Sequence, residues 1–156
     1  MRKIDKMKQF LTLFIVLGCV FSSKAQTAED SVKAAVTVLF KGMVTADAGL
    51  LRSAFTDSAI LQTIVTSKDG LTSVRNEDVK DFADFVSKQK KGAADERIEF
   101  ETIKIDGALA SVWTPYKFYF DGKFRHCGVN SFQLVRINGI WKIQYLIDTR
   151  RLTGCE

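Results

Sequence analysis

Residues 106–139 read DGALASVWTPYKFYFDGKFRHCGVNSFQLVRING, and this stretch decides the fold. It holds three turn dipeptides, Asp106-Gly107, Asp121-Gly122 and Asn138-Gly139, each between runs rich in β-branched and aromatic residues. Asp-Gly and Asn-Gly supply the positive φ angles of the type I′ turn that closes tight hairpins. The spacing predicts four strands, 97–105, 108–120, 123–137 and 140–151. Tight turns between neighbours make that sheet an antiparallel meander. The two middle strands are more than twice the usual length of about 5–6 residues. Such strands coil and bend, and Pro115 and Gly128 are the predicted bulge or kink points.

Helices precede the meander. Thr27-Ala28-Glu29-Asp30 reads as a variant capping box, and Val32, Ala35, Val36, Leu39, Phe40 and Met43 recur at helical spacing behind it. Asp47 is placed to cap a second short helix carrying Leu50, Leu51 and Phe55. A short strand, 59–65, ends at the Asp69-Gly70 turn. Asn76 is the predicted cap of a third helix with Val79, Phe82, Phe85 and Val86 as its apolar stripe, Lys88, Lys90 and Lys91 at its negative end and Gly92 as terminator. The predicted class is α+β: N-terminal helices packed on a long, strongly curved antiparallel sheet.

With two-residue turns and no bulges, Trp113 lies opposite Asn130, Phe132 opposite Tyr145, and Asn130 opposite Ile147. Opposed residues point the same way. Leu109, Trp113, Phe132, Leu134, Trp141, Ile143, Tyr145 and Ile147 then share the apolar surface that the helices cover, with His126 and Asn130 among them. Thr114, Tyr116, Phe118, Leu146 and Asp148 fall on the other side. One bulge reverses the facing of every later residue on its strand.

The N-terminus sets the expected compartment. Arg2, Lys3, Lys6 and Lys8 precede an apolar run from Phe10 to Phe21, and Ser23 and Ala25 stand at the positions a signal peptidase reads. That is the pattern of a secretory leader, 1–25, ahead of one domain, 26–156. Its apolar run is shorter than the roughly 20 residues a bilayer span needs. Periplasmic or extracellular localisation follows as the expectation. Val16-Leu17-Gly18-Cys19 also resembles a lipobox, so membrane attachment enters only through acylation of Cys19.

The leader carries five of the 23 basic residues and one of the 18 acidic ones, so the remaining chain is close to neutral at +1. The basic isoelectric point is largely the leader's, which removes the electrostatic case for a nucleic-acid partner. Cys127 and Cys155 remain after the leader. Two thiols in an oxidising compartment suggest one disulfide, worth about 3–4 kcal/mol by loop closure; two buried, unpaired thiols are the other reading.

Three helices followed by a long curved meander resemble the nuclear transport factor 2-like superfamily, which includes ketosteroid isomerase-like and polyketide cyclase-like members. The segments Phe55-Thr56-Asp57-Ser58-Ala59, Val112-Trp113-Thr114-Pro115-Tyr116, Gly122 through Leu134, and Gly139-Ile140-Trp141-Lys142-Ile143 are similar to a secreted bacterial "putative lumazine-binding" branch of it. His126-Cys127-Gly128-Val129-Asn130-Ser131-Phe132 followed by Asp148-Thr149-Arg150-Arg151 carries the most specific part of that likeness. The resemblance implies a cone-shaped half-barrel with a pocket, and it does not imply a substrate.

His126 is the only histidine and the natural candidate for acid–base chemistry near neutral pH. Asp148 and Tyr116 are its candidate partners, although the unbulged register turns Asp148 away. Trp113, Phe132 and Tyr145 are expected to line the pocket, Asn130 to supply a polar group there, and Arg150 or Arg151 to meet an anion at the rim. With one histidine and no Cys-x-x-Cys or Gly-rich phosphate loop, neither a metal nor a cofactor is expected. The first expectation is an exported, non-catalytic domain that binds a small organic ligand, as a homodimer through the outer sheet face. The alternatives are a cofactor-free lyase, isomerase or cyclase using His126, and a dimeric interaction or assembly module.

Overall fold

The computed structural model describes residues 27–67 and 69–155. Helix α1 (Ala28–Thr45) opens with the capping box: the Asp30 N–H donates to Thr27 Oγ1 at 3.0 Å, and the Asp30 side chain accepts from the Thr27 N–H. Helix α2 (Ala48–Ser53) starts at Asp47, whose carboxylate accepts from the Leu50 N–H. Gly42 lies where the two helices touch. A Cβ there would sit 2.6 Å from the Leu51 backbone nitrogen, so the close approach depends on glycine.

Seven strands follow: β1 (Phe55–Thr66), β2 (Thr72–Glu77), β3 (Ala94–Ile98), β4 (Thr102–Asp106), β5 (Leu109–Phe120), β6 (Lys123–Ile137) and β7 (Ile140–Thr149), with helix α3 (Val79–Ser87) between β2 and β3. They form one sheet in the order β2-β1-β7-β6-β5-β3, and β4 also pairs with β5. The meander of β4 to β7 is antiparallel, whereas β1 joins β7 in parallel. The sheet is therefore mixed, and Phe55 begins a strand rather than belonging to the second helix.

Strand β2 takes up Asn76, which was expected to cap α3. Asn76 pairs with Gln62, and Gln62 Nε2 donates to its side-chain oxygen. Asp78 caps the helix instead, accepting from the N–H groups of Lys80 and Asp81. The helix ends at Ser87, so the lysine run lies beyond it, and Gly92 (φ +82°) turns the chain so that its N–H reaches the Val44 carbonyl at 2.7 Å.

The β5–β6 and β6–β7 hairpins carry positive φ at both turn residues, as type I′ turns require; between β4 and β5 the turn is Gly107-Ala108. Neither Pro115 nor Gly128 breaks the register. Pro115 sits opposite the gap between β3 and β4, where the edge strand is interrupted and its missing N–H forfeits nothing. The bulges lie elsewhere. Phe118 pairs with His126 but Tyr119 with Phe124, leaving Arg125 over. Leu134 pairs with Ile143 but Gln133 with Tyr145, leaving Gln144 over.

Those two extra residues reverse half of the expected facing. β6 presents His126, Asn130, Phe132 and Leu134 inward as expected, but its neighbours present Val112, Thr114 and Tyr116 from β5 and Leu146 and Asp148 from β7. Trp113 lies on the outer face, 44% exposed, and Tyr145 lies there too, with its hydroxyl donating to Gln62. Neither lines the interior.

On the concave face the rows alternate in character along the sheet. One row runs Leu61–Leu146–Phe132–Val112 across β1, β7, β6 and β5, and the next toward the Asn138-Gly139 end contains Ile143, Leu134 and Ala110. Helix α1 covers them with Val32, Val36 and Leu39, and Phe40 meets Phe132 edge-on at 6.3 Å. Each such large apolar side chain contributes about 1.5–3 kcal/mol by leaving water.

Candidate functional site: a polar belt across the cone

The next row in the other direction is polar throughout. Thr63 pairs with Asp148, Asp148 with Asn130, and Asn130 with Thr114, so one residue from each of β1, β7, β6 and β5 falls in line. Among the described residues these four are the buried polar side chains, between 0 and 7% exposed. The Thr114 hydroxyl has no hydrogen-bond partner among the described residues. An unpaired buried hydroxyl costs about 1–3 kcal/mol, so this row is not explained by stability.

Tyr116 stands just beyond the row. Its Oη lies 2.9 Å from the Thr149 carbonyl, 3.1 Å from Asp148 Oδ2 and 3.2 Å from His126 Nδ1. Burial, and after it the Asp148 charge, pushes its pKa up, so it stays a phenol with one proton to give. Both oxygens can only accept that proton, and hence the His126 Nδ1–H donates to Tyr116. His126 is held neutral, its pKa lowered by burial first and by the Arg150 charge second, against the opposing Asp148. The tautomer so fixed leaves a lone pair on Nε2. The ring stacks on Phe118 with centroids 5.0 Å apart.

Close approach of the β7 end makes this possible. A Cβ on Gly128 would stand 1.8 Å from the Thr149 carbonyl oxygen and 2.8 Å from the Tyr116 ring. Backbone bonds between Cys127 and Arg151 and a disulfide from Cys127 to Cys155 (S–S 2.04 Å, sequence separation 28) then tie the tail to β6.

Arg150 meets the same carboxylate oxygen of Asp148 as Tyr116 does. Its Nε donates to Asp148 Oδ2 at 2.9 Å, its Nη2 donates to Thr63 Oγ1 at 3.0 Å, and Nη2 is 3.9 Å from Glu77 Oε2. Asn130 Nδ2 donates to Glu96 Oε1 at 2.8 Å. Glu96 keeps partial exposure as a residue, and protein crowds its carboxyl on the cavity side. Burial, reinforced by Asp148 and opposed by Asn130 and Arg150, pushes its pKa up to about 7.

These groups border a cavity of about 50 Å³. Its polar wall is Glu77, Glu96, Asn130, Asp148 and Arg150, and its apolar wall includes Phe40, Met43, Leu61 and Phe82. The space admits a water or a compact group of a few atoms. A groove of about 590 Å³ outside, between the start of β1 and α3, shares Leu61 and Glu77 with it. Of the predicted site residues, Asn130, Asp148 and Arg150 line the cavity. His126 and Tyr116 connect to it through Asp148, while Phe132 belongs to the apolar core and Arg151 to the tail. Asp148 and His126 share the concave face with Tyr116 between them, which corrects the opposed facing expected without bulges. Sequence reasoning missed Glu96, Glu77, Thr63 and Thr114. Glu96 sits in Ala94-Asp95-Glu96-Arg97, which has the composition of a solvated strand end.

Comparison with known proteins agrees with the architecture. A family model described as "Putative lumazine-binding" matches residues 27–144. No curated protein matches the chain. Among solved structures, a nuclear transport factor 2-like protein of unknown function from Shewanella baltica aligns with TM-score 0.61 at 15% identity, covering 79% of this chain and 93% of its own. One from Methylobacillus flagellatus aligns with TM-score 0.60 at 17% identity over 86% and 97%. A cystatin-like-fold protein of unknown function from Nostoc punctiforme gives 0.62 at 12% over 81% and 95%. The chain thus belongs to the "Putative lumazine-binding" family and has the nuclear transport factor 2-like α+β cone.

Proposed function

We propose that this chain is an exported domain that binds a small organic molecule in the polar half of its cone and does not transform it. The observation that carries this is the row Thr63–Asp148–Asn130–Thr114, buried next to the apolar half of the concave face, with Asp148 and Asn130 lining a cavity. Buried polar groups with spare hydrogen-bonding capacity cost stability unless a ligand uses them. The family description is consistent with a small heterocyclic ligand. Because the cavity is small, a ligand larger than a few atoms seats its polar head there and displaces Phe40 or Phe82 from the apolar wall.

The test is a thermal-shift screen of heterocycles and lipid-like acids. A ligand at 100 times its Kd stabilises by about 2.7 kcal/mol, and the Asn130→Leu variant loses that gain. Absence of any hit, or hits that Asn130→Leu retains, removes the proposal. Export has its own check: the mass of the product released by an expressing cell. It begins at Gln26 if the leader is cleaved, and a product starting at an acylated Cys19 replaces that reading.

A second reading rests on the His126 lone pair. A neutral imidazole oriented by Tyr116 and Asp148 is suited to proton abstraction in a cofactor-free lyase, isomerase or cyclase. Turnover of a ligand found in the screen, abolished in His126→Gln with binding retained, would establish it. A homodimer through the outer face fits the exposed Ile60, Val74 and Trp113. Sedimentation of wild type and Trp113→Glu decides, the dimer requiring that only the wild type has twice the chain mass.

A further inference from the structure

The inner cavity carries more acceptors than its surroundings satisfy. Three carboxyl groups, Glu77, Glu96 and Asp148, border it, against one cation, Arg150. Two of that guanidinium's N–H groups are engaged, Nε with Asp148 and Nη2 with Thr63, and Nη2 also lies 3.9 Å from Glu77 Oε2. Among the described residues, Asp148 Oδ1, Glu96 Oε2, the Asn130 side-chain oxygen and both Glu77 carboxylate oxygens accept no hydrogen bond from the protein, and each keeps some accessible surface. In the same row the Thr114 hydroxyl is wholly buried without a partner.

Resting on the ligand-binding reading above, we infer that the cavity selects a compact cationic, N–H-donating head, of which a primary ammonium is the simplest. An ammonium has three donors and no acceptor, which suits a wall whose unused groups are acceptors, and about 50 Å³ holds it with one attached carbon. Its charge offsets the carboxylate excess, whereas a carboxylate or phosphate would meet like charge. The apolar wall of Leu39, Phe40, Met43 and Phe82 is then left for the carbon body that follows the head.

The binding is tied to ionisation of Glu96. The charged groups facing that carboxyl are Asp148 and Arg150 from the β7 side and Glu77 from the end of β2. Across the network lie Tyr116 and His126, both neutral, and the helices contribute apolar side chains to the cavity. A cation entering this set draws the proton from Glu96, so its affinity rises with pH through about 7.

The experiment is NMR titration of the full chain with methylammonium, tetramethylammonium, acetamide and acetate, following the Asn130 side-chain amide. Methylammonium is expected to shift that signal saturably, about tenfold more tightly at pH 8 than at pH 6, and with no such pH dependence in Glu96→Gln. Tetramethylammonium, which has the charge without the N–H donors, should leave the signal in place. Stronger perturbation by acetate or acetamide overturns the cationic assignment and leaves the pocket reading standing. A methylammonium affinity equal at both pH values overturns the assignment as well. If no probe moves the Asn130 signal and the thermal-shift screen also fails, both readings fall together.

Discussion

The concave face divides into two halves built on the same strands. Toward the Asn138-Gly139 turn, β5, β6 and β7 present Ala110, Val112, Phe132, Leu134 and Ile143 beneath α1, all at most 3% exposed. Toward the Asp121-Gly122 turn the same strands present Thr114, Tyr116, His126, Asn130 and Asp148, followed by Glu96 from β3. Burial stabilises the first half, whereas in the second desolvation opposes folding and hydrogen bonds only partly offset it. The difference teaches that one half holds the fold while the other carries the groups able to do chemistry, at a cost in stability.

The largest effect should come from breaking the apolar half. Phe132→Ala removes a fully buried ring that packs on Phe40, and urea denaturation should show a loss of about 3–5 kcal/mol. A loss below 1 kcal/mol would mean that α1 does not seat on that row. Next comes the tether of the polar half. Cys155→Ser opens the disulfide, and the chain-entropy account gives a loss of about 3–4 kcal/mol, matched by wild type under reductant. Unequal losses in the two experiments would count against the tether.

Within the polar half the sign reverses. The folded-state pKa of Glu96, about 7, lies above its unfolded value, so its contribution to stability falls as pH rises from the ordinary carboxylate range through 7. Glu96→Gln should therefore be more stable than wild type by about 3 kcal/mol at pH 8 and little different near pH 4. A variant less stable at pH 8 would show that the carboxylate is a stabilising partner there. Smallest is Thr114→Val, which replaces an unpartnered hydroxyl with a methyl group of the same shape and should gain about 1 kcal/mol. A loss instead would show that a water or ligand satisfies the hydroxyl.

How much of this was legible follows from where the register could be counted. From Asn138-Gly139 outward, pairing of Ile137 with Ile140 through Leu134 with Ile143 is as the turn dictates, and the inward side of β6 reads correctly along its length. Legibility ends at Gln144 on β7 and at Arg125 on β6. Each is one extra residue with a side chain that gives no signal, whereas Pro115 and Gly128, the residues that usually mark irregularity, stay in register. The consequence was local but decisive: β5 and the far end of β7 turned over. Trp113 and Tyr145 left the interior, and Tyr116 and Asp148 entered it. The candidate trio of His126, Tyr116 and Asp148 was visible as residue types, but its assembly was not. Glu96 was invisible because its hydrogen-bond partner Asn130 and its cavity neighbours on α1, α3 and β7 are all distant in sequence.

The most direct test of the polar half as an enclosed, proton-carrying site is a carbon-13 NMR titration of the Glu96 side-chain carboxyl in the wild-type chain. The account predicts a midpoint near 7. A midpoint in the ordinary glutamate range, about 4.3, would mean that the carboxyl is solvated and would contradict it.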